Sequence, residues 1–216
     1  MPYTLRRRTL LAFAATAPLA TLVRPAFADS TSDALDKVAK ARSSLKTLSA
    51  KFEQTRLVGL LAEPVKSTGE LILVRPDQLR WELYPPDAAT YWVSSKGIFY
   101  RNGSSGKAVQ AGGGARDFTA VLNDLIAFVG GDMNALKSRY SFSASNESDG
   151  SVSVTADPTD DKLKKVIKRI GLRTSADLWG VSKIVLEEAN GDSSTIVFSK
   201  NEKDGKVDPD KMKPPV

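Results

Sequence analysis

One stretch, Gly69–Gly103, limits the folds open to this chain more than any other. It reads GELILVRPDQLRWELYPPDAATYWVSSKGIFYRNG, four short strands divided by turns. Leu71–Val74 is an apolar run, closed by Arg75-Pro76-Asp77, residues that favour a turn. Leu79, Trp81 and Leu83 alternate with Arg80, Glu82 and Tyr84, the period of a strand with one buried face. Pro85-Pro86 breaks that strand. Thr90–Ser94, a Ser95-Lys96-Gly97 turn and Ile98–Arg101 follow, closed by Asn102-Gly103. Connections this short join antiparallel neighbours, so the stretch is a meander.

The flanking sequence extends the same plan. Asp29–Leu45 reads as a helix capped by Ser32 or Asp33, with Leu35, Val38, Arg42, Leu45 and Leu48 at helical spacing. Ser49–Leu57 alternates, Ala50, Phe52 and Gln54 pointing one way and Lys51, Glu53 and Thr55 the other. Gly59–Pro64 is a short apolar connector whose leucines are expected to pack under a turn. Ser104–Ala115, with Gly112-Gly113-Gly114, reads as a loop, and it matches no phosphate-cradling motif. From Asp117, the apolar positions Phe118, Val121, Leu122, Leu125, Ile126 and Val129 mark an amphipathic helix, stopped by Gly130-Gly131 in a left-handed cap. A second short helix is expected over Asp132–Ser138.

Tyr140–Ser145 and Ser151–Ala156 form a hairpin. Val166–Arg173, Trp179–Ala189 and Thr195–Lys200 are three further strands, the last two joined at Asn190-Gly191. The expected fold is α+β: a curled antiparallel sheet of about ten strands, an open and incomplete barrel, covered by a helical lid. Residues 29–205 form this domain, and 206–216 an irregular, charged tail.

Residues 1–28 read as a cleavable signal. Arg6-Arg7-Arg8 precedes the apolar run Thr9–Val23, and Ala26-Phe27-Ala28 is a cleavage site before Asp29. Sec and twin-arginine export both fit this leader. The whole chain has 31 basic and 25 acidic residues, but the leader holds four arginines and no acid, leaving 27 against 25. A nucleic-acid partner loses its support once the leader is removed. The remaining 188 of 216 residues suit one domain with its own core. With no histidine and no cysteine, histidine- or cysteine-based catalysis and the usual transition-metal sites are excluded. The carboxylate pairs Asp160-Asp161 and Glu187-Glu188 read as solvated surface. No catalytic residue, metal or cofactor is expected.

The glycine-led strand, Arg75-Pro76, Leu79-Arg80-Trp81 and the proline-terminated strand resemble the LolA family of periplasmic carriers of outer-membrane lipoproteins. Phe52-Glu53-Gln54 resembles the Phe-x-Gln of that family's first strand. By order of elements the resemblance covers roughly Leu35–Ser199. It implies a monomeric carrier in the periplasm that takes acylated lipoproteins or lipids from an inner-membrane exporter to an outer-membrane receptor. It further implies that Arg75 lies on the inner side and hydrogen-bonds the helical lid, a latch broken when cargo displaces the lid. Leu79 stands where the family has an aromatic at the cavity mouth, and Trp81 matches a family tryptophan. The chain departs from the best-known carriers in lacking their long final strand.

A sheet of this length curls because strands twist, and helices can cover its concave side. An apolar cavity between lid and sheet would shelter acyl chains, each buried methylene contributing about 0.8 kcal/mol. The candidate lining is Phe52, Leu71 and Leu73 with Leu79, Trp81 and Leu83 on the sheet, and Phe118, Leu122 and Leu125 on the lid. Two other readings share this shape: a carrier of a different acylated lipid or glycolipid, and a lipid-sensing regulatory domain.

Overall fold

Antiparallel pairing runs unbroken through eleven strands. In chain order they are β1 (Thr47–Leu57), β2 (Val65–Val74), β3 (Gln78–Leu83), β4 (Ala89–Ser94), β5 (Gly97–Asn102), β6 (Val109–Gln110), β7 (Tyr140–Asn146), β8 (Val152–Pro158), β9 (Ile167–Thr174), β10 (Val181–Glu188) and β11 (Ser193–Lys203). Helix α1 (Ala26–Arg42) precedes the sheet, α2 (Arg116–Gly130) and a 3-10 turn (Met133–Leu136) separate β6 from β7, and α3 (Asp161–Lys164) separates β8 from β9. The spatial order β6-β5-β4-β3-β2-β1-β11-β10-β9-β8-β7 leaves β6 and β7 as edges, so the sheet is open. This computed structural model describes residues 26–111 and 116–216, with no account of the side chains of 26–29 and 116–120. The leader up to residue 25 and Gly112-Gly113-Gly114 lie outside the described residues.

Register places the apolar positions of the meander on one face. Leu71 opposes Trp81, Leu73 opposes Leu79, and Leu79 opposes Val93. Because side chains alternate across a strand, these share a face with Leu48, Ala50 and Phe52 of β1. All are buried and form one core with Val121, Leu125, Phe128 and Val129 of α2 and Leu35 and Val38 of α1. Gly69 has a steric reason to be glycine: a Cβ there would lie 2.0 Å from the Glu82 carbonyl oxygen and 2.4 Å from the Phe52 ring. That ring packs against Trp81 at 4.4 Å between centroids and meets Phe198 edge-on at 6.0 Å. At the β7 edge, α1 lies alongside: Ala144 donates its backbone N–H to Thr31 Oγ1, 3.3 Å, and Lys37 donates to Asn146, 3.2 Å. A covered edge is protected from pairing with another chain.

The outer face of β2–β5 carries a second, smaller apolar layer. Ile72 and Trp92 are buried there, outside the main core. The tail after β11 has no helix or strand, yet it lies on this layer: Trp92 Nε1 donates to the Lys211 carbonyl at 2.9 Å, and Ala108 N to the Pro215 carbonyl at 2.7 Å. Arg80 faces outward but is buried. It is paired with Glu82 at 2.9 Å and set 6.0 Å from the Trp92 ring.

The structure differs from the sequence reading at several points. Helix α1 ends at Arg42 rather than Leu45, and Leu48 is buried as part of β1 instead of continuing the helical stripe. The segment 132–138 holds only a 3-10 turn, Met133–Leu136, capped by Asp132. The connector leucines do not pack under their turn: Leu60 is 97% exposed and Leu61 52%. Of the acidic pairs read as solvated surface, Asp160 and Asp161 are exposed, Asp160 also capping α3, whereas Glu188 faces a cavity.

Candidate functional site

Helix α2 lies across the concave face and is held at its C-terminal end by an arginine of α1. Arg42 is fully buried. Its Nη1 donates to the carbonyls of Phe128 (3.2 Å) and Val129 (2.7 Å), its Nε to Leu178 (2.9 Å) and its Nη2 to Gly180 (2.8 Å). The last carbonyls of a helix have no partner of their own, and a cation there also complements the helix dipole. Burial lowers the Arg42 pKa to about 10, offset in part by Asp177 and deepened by neighbouring Arg75, so the group is a cation at neutral pH. Gly131, at φ +82°, makes room for it, since a Cβ there would lie 2.7 Å from Arg42 Cδ. The left-handed cap read at Gly130-Gly131 thus also admits a guanidinium.

Arg75 adds a second tie. Its Nη1 donates to the Arg42 carbonyl at 2.7 Å and reaches the Gly130 carbonyl at 3.5 Å, and its backbone N–H donates to the Lys46 carbonyl at 2.9 Å. Further along α2, the buried Asp124 accepts from Tyr140 Oη at 2.6 Å and is paired with the Arg139 guanidinium. Burial pushes the Asp124 carboxyl up, against the pull of the Tyr140 hydrogen bond and the Arg139 charge. Burial and the Asp124 hydrogen bond push the Tyr140 hydroxyl up as well.

The N-terminal half of α2 covers a cavity of about 360 Å³ at the opposite end of the sheet from these arginines. Its apolar wall is built from Trp81 and Leu83 of β3, Leu122 and Leu125 of α2, and Leu186 and Ile196 of β10 and β11. Its polar rim carries Arg56, Asp87, Tyr91 and Glu188. The hairpin tip bearing exposed Leu60 follows directly from Arg56. The volume falls near the lower end of about 300–1,000 Å³ typical of small-molecule pockets.

The ten residues singled out from sequence separate into groups. Trp81, Leu83, Leu122 and Leu125 come together around the cavity. Phe52, Leu71, Leu73 and Leu79 are buried in the filled core away from it, because helix side chains occupy most of the concave face. Arg75 lies at the arginine end, and the Phe118 side chain is outside the described residues. Sequence reasoning placed Arg42 on an apolar stripe without assigning it a partner. A cation on an otherwise apolar helix face was the available signal. The rim residues Arg56, Asp87 and Glu188 were also missed, since a charged residue at a strand end resembles any solvated one.

The architecture is thus an open antiparallel half-barrel roofed by a helix, with an apolar cavity beneath. Residues 43–214 match the family model described as outer membrane lipoprotein carrier protein LolA, and the chain belongs to that family. No curated protein matches it in sequence. Among solved structures, an uncharacterized conserved protein from Thermus thermophilus is similar, with TM-score 0.51 and 8% identity over 86% of this chain and 94% of that one. A LolA superfamily protein from Nitrosomonas europaea gives TM-score 0.45 at 9% identity, covering 85% and 97%. Mycobacterium tuberculosis lipoprotein LppX gives 0.45 at 12%, covering 82% and 96%. At 8% identity the likeness to the Thermus thermophilus protein concerns the fold alone.

Proposed function

We propose that the protein is a periplasmic carrier that shelters the acyl chains of lipoproteins and moves them from an inner-membrane exporter to an outer-membrane receptor. One observation carries the reading: the apolar cavity between Trp81 and Leu83 on the sheet and Leu122 and Leu125 on α2, open to solvent at a polar rim. Family membership and the export leader support it. Among the described residues no helix is long and apolar enough to cross a membrane. The acyl chain enters beside Arg56, Asp87 and Glu188, which remain hydrated, while its methylenes replace water against Leu83 and Leu125. The reading assigns the protein no catalytic step.

The small volume has a consequence for cargo. A cavity of about 360 Å³ has no room for several acyl chains, so a cargo with more than one chain requires α2 to swing outward. This observation favours, as a second reading, a carrier of another acylated lipid with one chain. Extraction from vesicles separates the two. Vesicles containing a fluorescent triacylated or monoacylated peptide are mixed with the protein and sedimented. The lipoprotein reading expects soluble triacylated probe in stoichiometric complex, abolished by Leu125→Glu. Extraction of the monoacylated probe alone supports the second reading, and extraction of neither removes both.

A further inference from the structure

We propose that the C-terminal segment, from Asp204 onward, is a strap that ties the outer face of the sheet to the hinge of the α2 roof and governs how readily the roof opens. The root of the strap is bonded to the α1–β1 junction. Asp204 Oδ1 accepts the backbone N–H of Lys46 at 2.7 Å and of Thr47 at 3.2 Å. Asp204 N donates to the Thr47 carbonyl at 2.9 Å, and Thr47 Oγ1 to the Gly205 carbonyl at 3.0 Å. Asp204 adopts φ +55°, an uncommon geometry for a residue other than glycine.

This junction is the one the arginines use. Arg75 donates to the carbonyls of Arg42 and Lys46, on either side of the turn that Asp204 holds. The far end of the strap reaches the edge of the sheet, where Pro215 accepts the N–H of Ala108, next to β6. The strap is therefore fastened both at the junction the arginines use and on the outer face of the sheet.

It is also built to lift. Between strap and sheet lies a cavity of about 540 Å³, larger than the one beneath α2 and bordered by Trp92, Phe99, Val207, Pro209, Met212 and Pro214. The buried Trp92 and Ala108 belong to neither the main core nor its partly buried margin. The strap can therefore detach without opening the main core, and detachment frees the 43–47 turn that positions the acceptors of Arg75.

The test needs no lipid, so it stands apart from the carrier reading. The chain has no cysteine. Leu125→Cys, buried on α2, reports opening of the roof to a polar thiol reagent, and Val154→Cys, buried in β8, reports opening of the whole fold. Each is placed in the parent chain, in Asp204→Ala, in Trp92→Phe and in a chain ending at Lys203. Loss of charge-assisted bonds at the root predicts labelling of Leu125→Cys about tenfold faster in Asp204→Ala and in the shortened chain. Trp92→Phe gives a smaller rise, and Val154→Cys is unchanged throughout. Unchanged Leu125→Cys labelling in the shortened chain overturns the proposal. So does parallel acceleration at both cysteines, which would make Asp204 a stabiliser of the whole fold. If the shortened chain does not fold, Trp92→Phe decides by the same comparison.

Discussion

Replacing Arg42 with methionine keeps an unbranched side chain as far as the place of Nε, omits the rest of the guanidinium, and removes every polar contact the side chain makes. Four carbonyls lose a charged donor: Phe128, Val129, Leu178 and Gly180. At about 1.5–3 kcal/mol for a hydrogen bond to a charged group, the gross loss is at most about 6–12 kcal/mol. Two effects reduce it. Methionine does not carry the desolvation cost of a buried guanidinium, and some of the freed carbonyls gain water when the end of α2 loosens. Breaking a buried charged cluster by removing one member costs about 3–5 kcal/mol net. At about 2–4 °C per kcal/mol for a domain of this size, Tm should fall by about 6–20 °C. Circular dichroism melts supply the number, and hydrogen exchange over Asp124–Gly131 locates the loss. Arg42→Lys should fall between parent and Arg42→Met, since one ammonium cannot reach all four acceptors. A drop of less than about 2 °C for Arg42→Met, with exchange in α2 unchanged, would refute the claim that this arginine holds the roof.

Arg75→Leu removes one short bond, to the Arg42 carbonyl, worth about 1.5–3 kcal/mol. The expected result is roof opening and cargo transfer changed by about tenfold or more, with global stability reduced far less than in Arg42→Met; equal transfer at equal loading would make Arg75 a turn residue. Gly69→Ala forces a methyl against the Glu82 carbonyl and the Phe52 ring and should cost about 1–3 kcal/mol or more, read from the urea midpoint. Asp160 and Asp204 are held below the ordinary carboxylate range by backbone N–H groups. Their contribution is therefore fully present above about pH 4 and lost as pH falls through the lower folded values. Asp204→Asn should flatten that part of the stability profile, and an acid limb identical to the parent's would contradict it. Asp124 has the opposite sign: with its carboxyl pushed up by burial, the folded state favours its protonated form, and that contribution fades as pH rises through the raised value.

The meander was legible because proline and glycine punctuate it. Strands read at Leu79–Leu83, Thr90–Ser94 and Ile98–Arg101 lie within one or two residues of β3, β4 and β5. Two-residue β6 and four-residue α3 are too short to display any period, and both went unread. The end of α1 was misjudged because Leu45 and Leu48 satisfy helical spacing, although Leu48 owes its burial to strand alternation in β1. Arg42 could not be interpreted locally, since its acceptors lie 86 to 138 residues away. Nor can periodicity separate a filled core from a cavity wall. Leu71 and Leu83 occupy the same face of neighbouring strands, yet only Leu83 lines the cavity, while Leu71 is closed into the core. The charged composition of the tail concealed the apolar residues Val207, Pro209, Met212 and Pro214, which it sets across a cavity from Trp92.

The central claim is that acyl chains occupy the space under α2. Adjacent residues of β3 test it, because Leu83 faces the cavity and Glu82 the outer surface, and both are partly exposed. Single cysteines at each position, Leu83→Cys and Glu82→Cys, are reacted with a polar thiol reagent with and without a saturating acylated peptide. The account predicts that cargo slows labelling at Leu83→Cys and leaves Glu82→Cys unchanged. Equal protection at both positions, or protection at neither despite bound cargo, would place the acyl chains elsewhere and contradict the carrier mechanism.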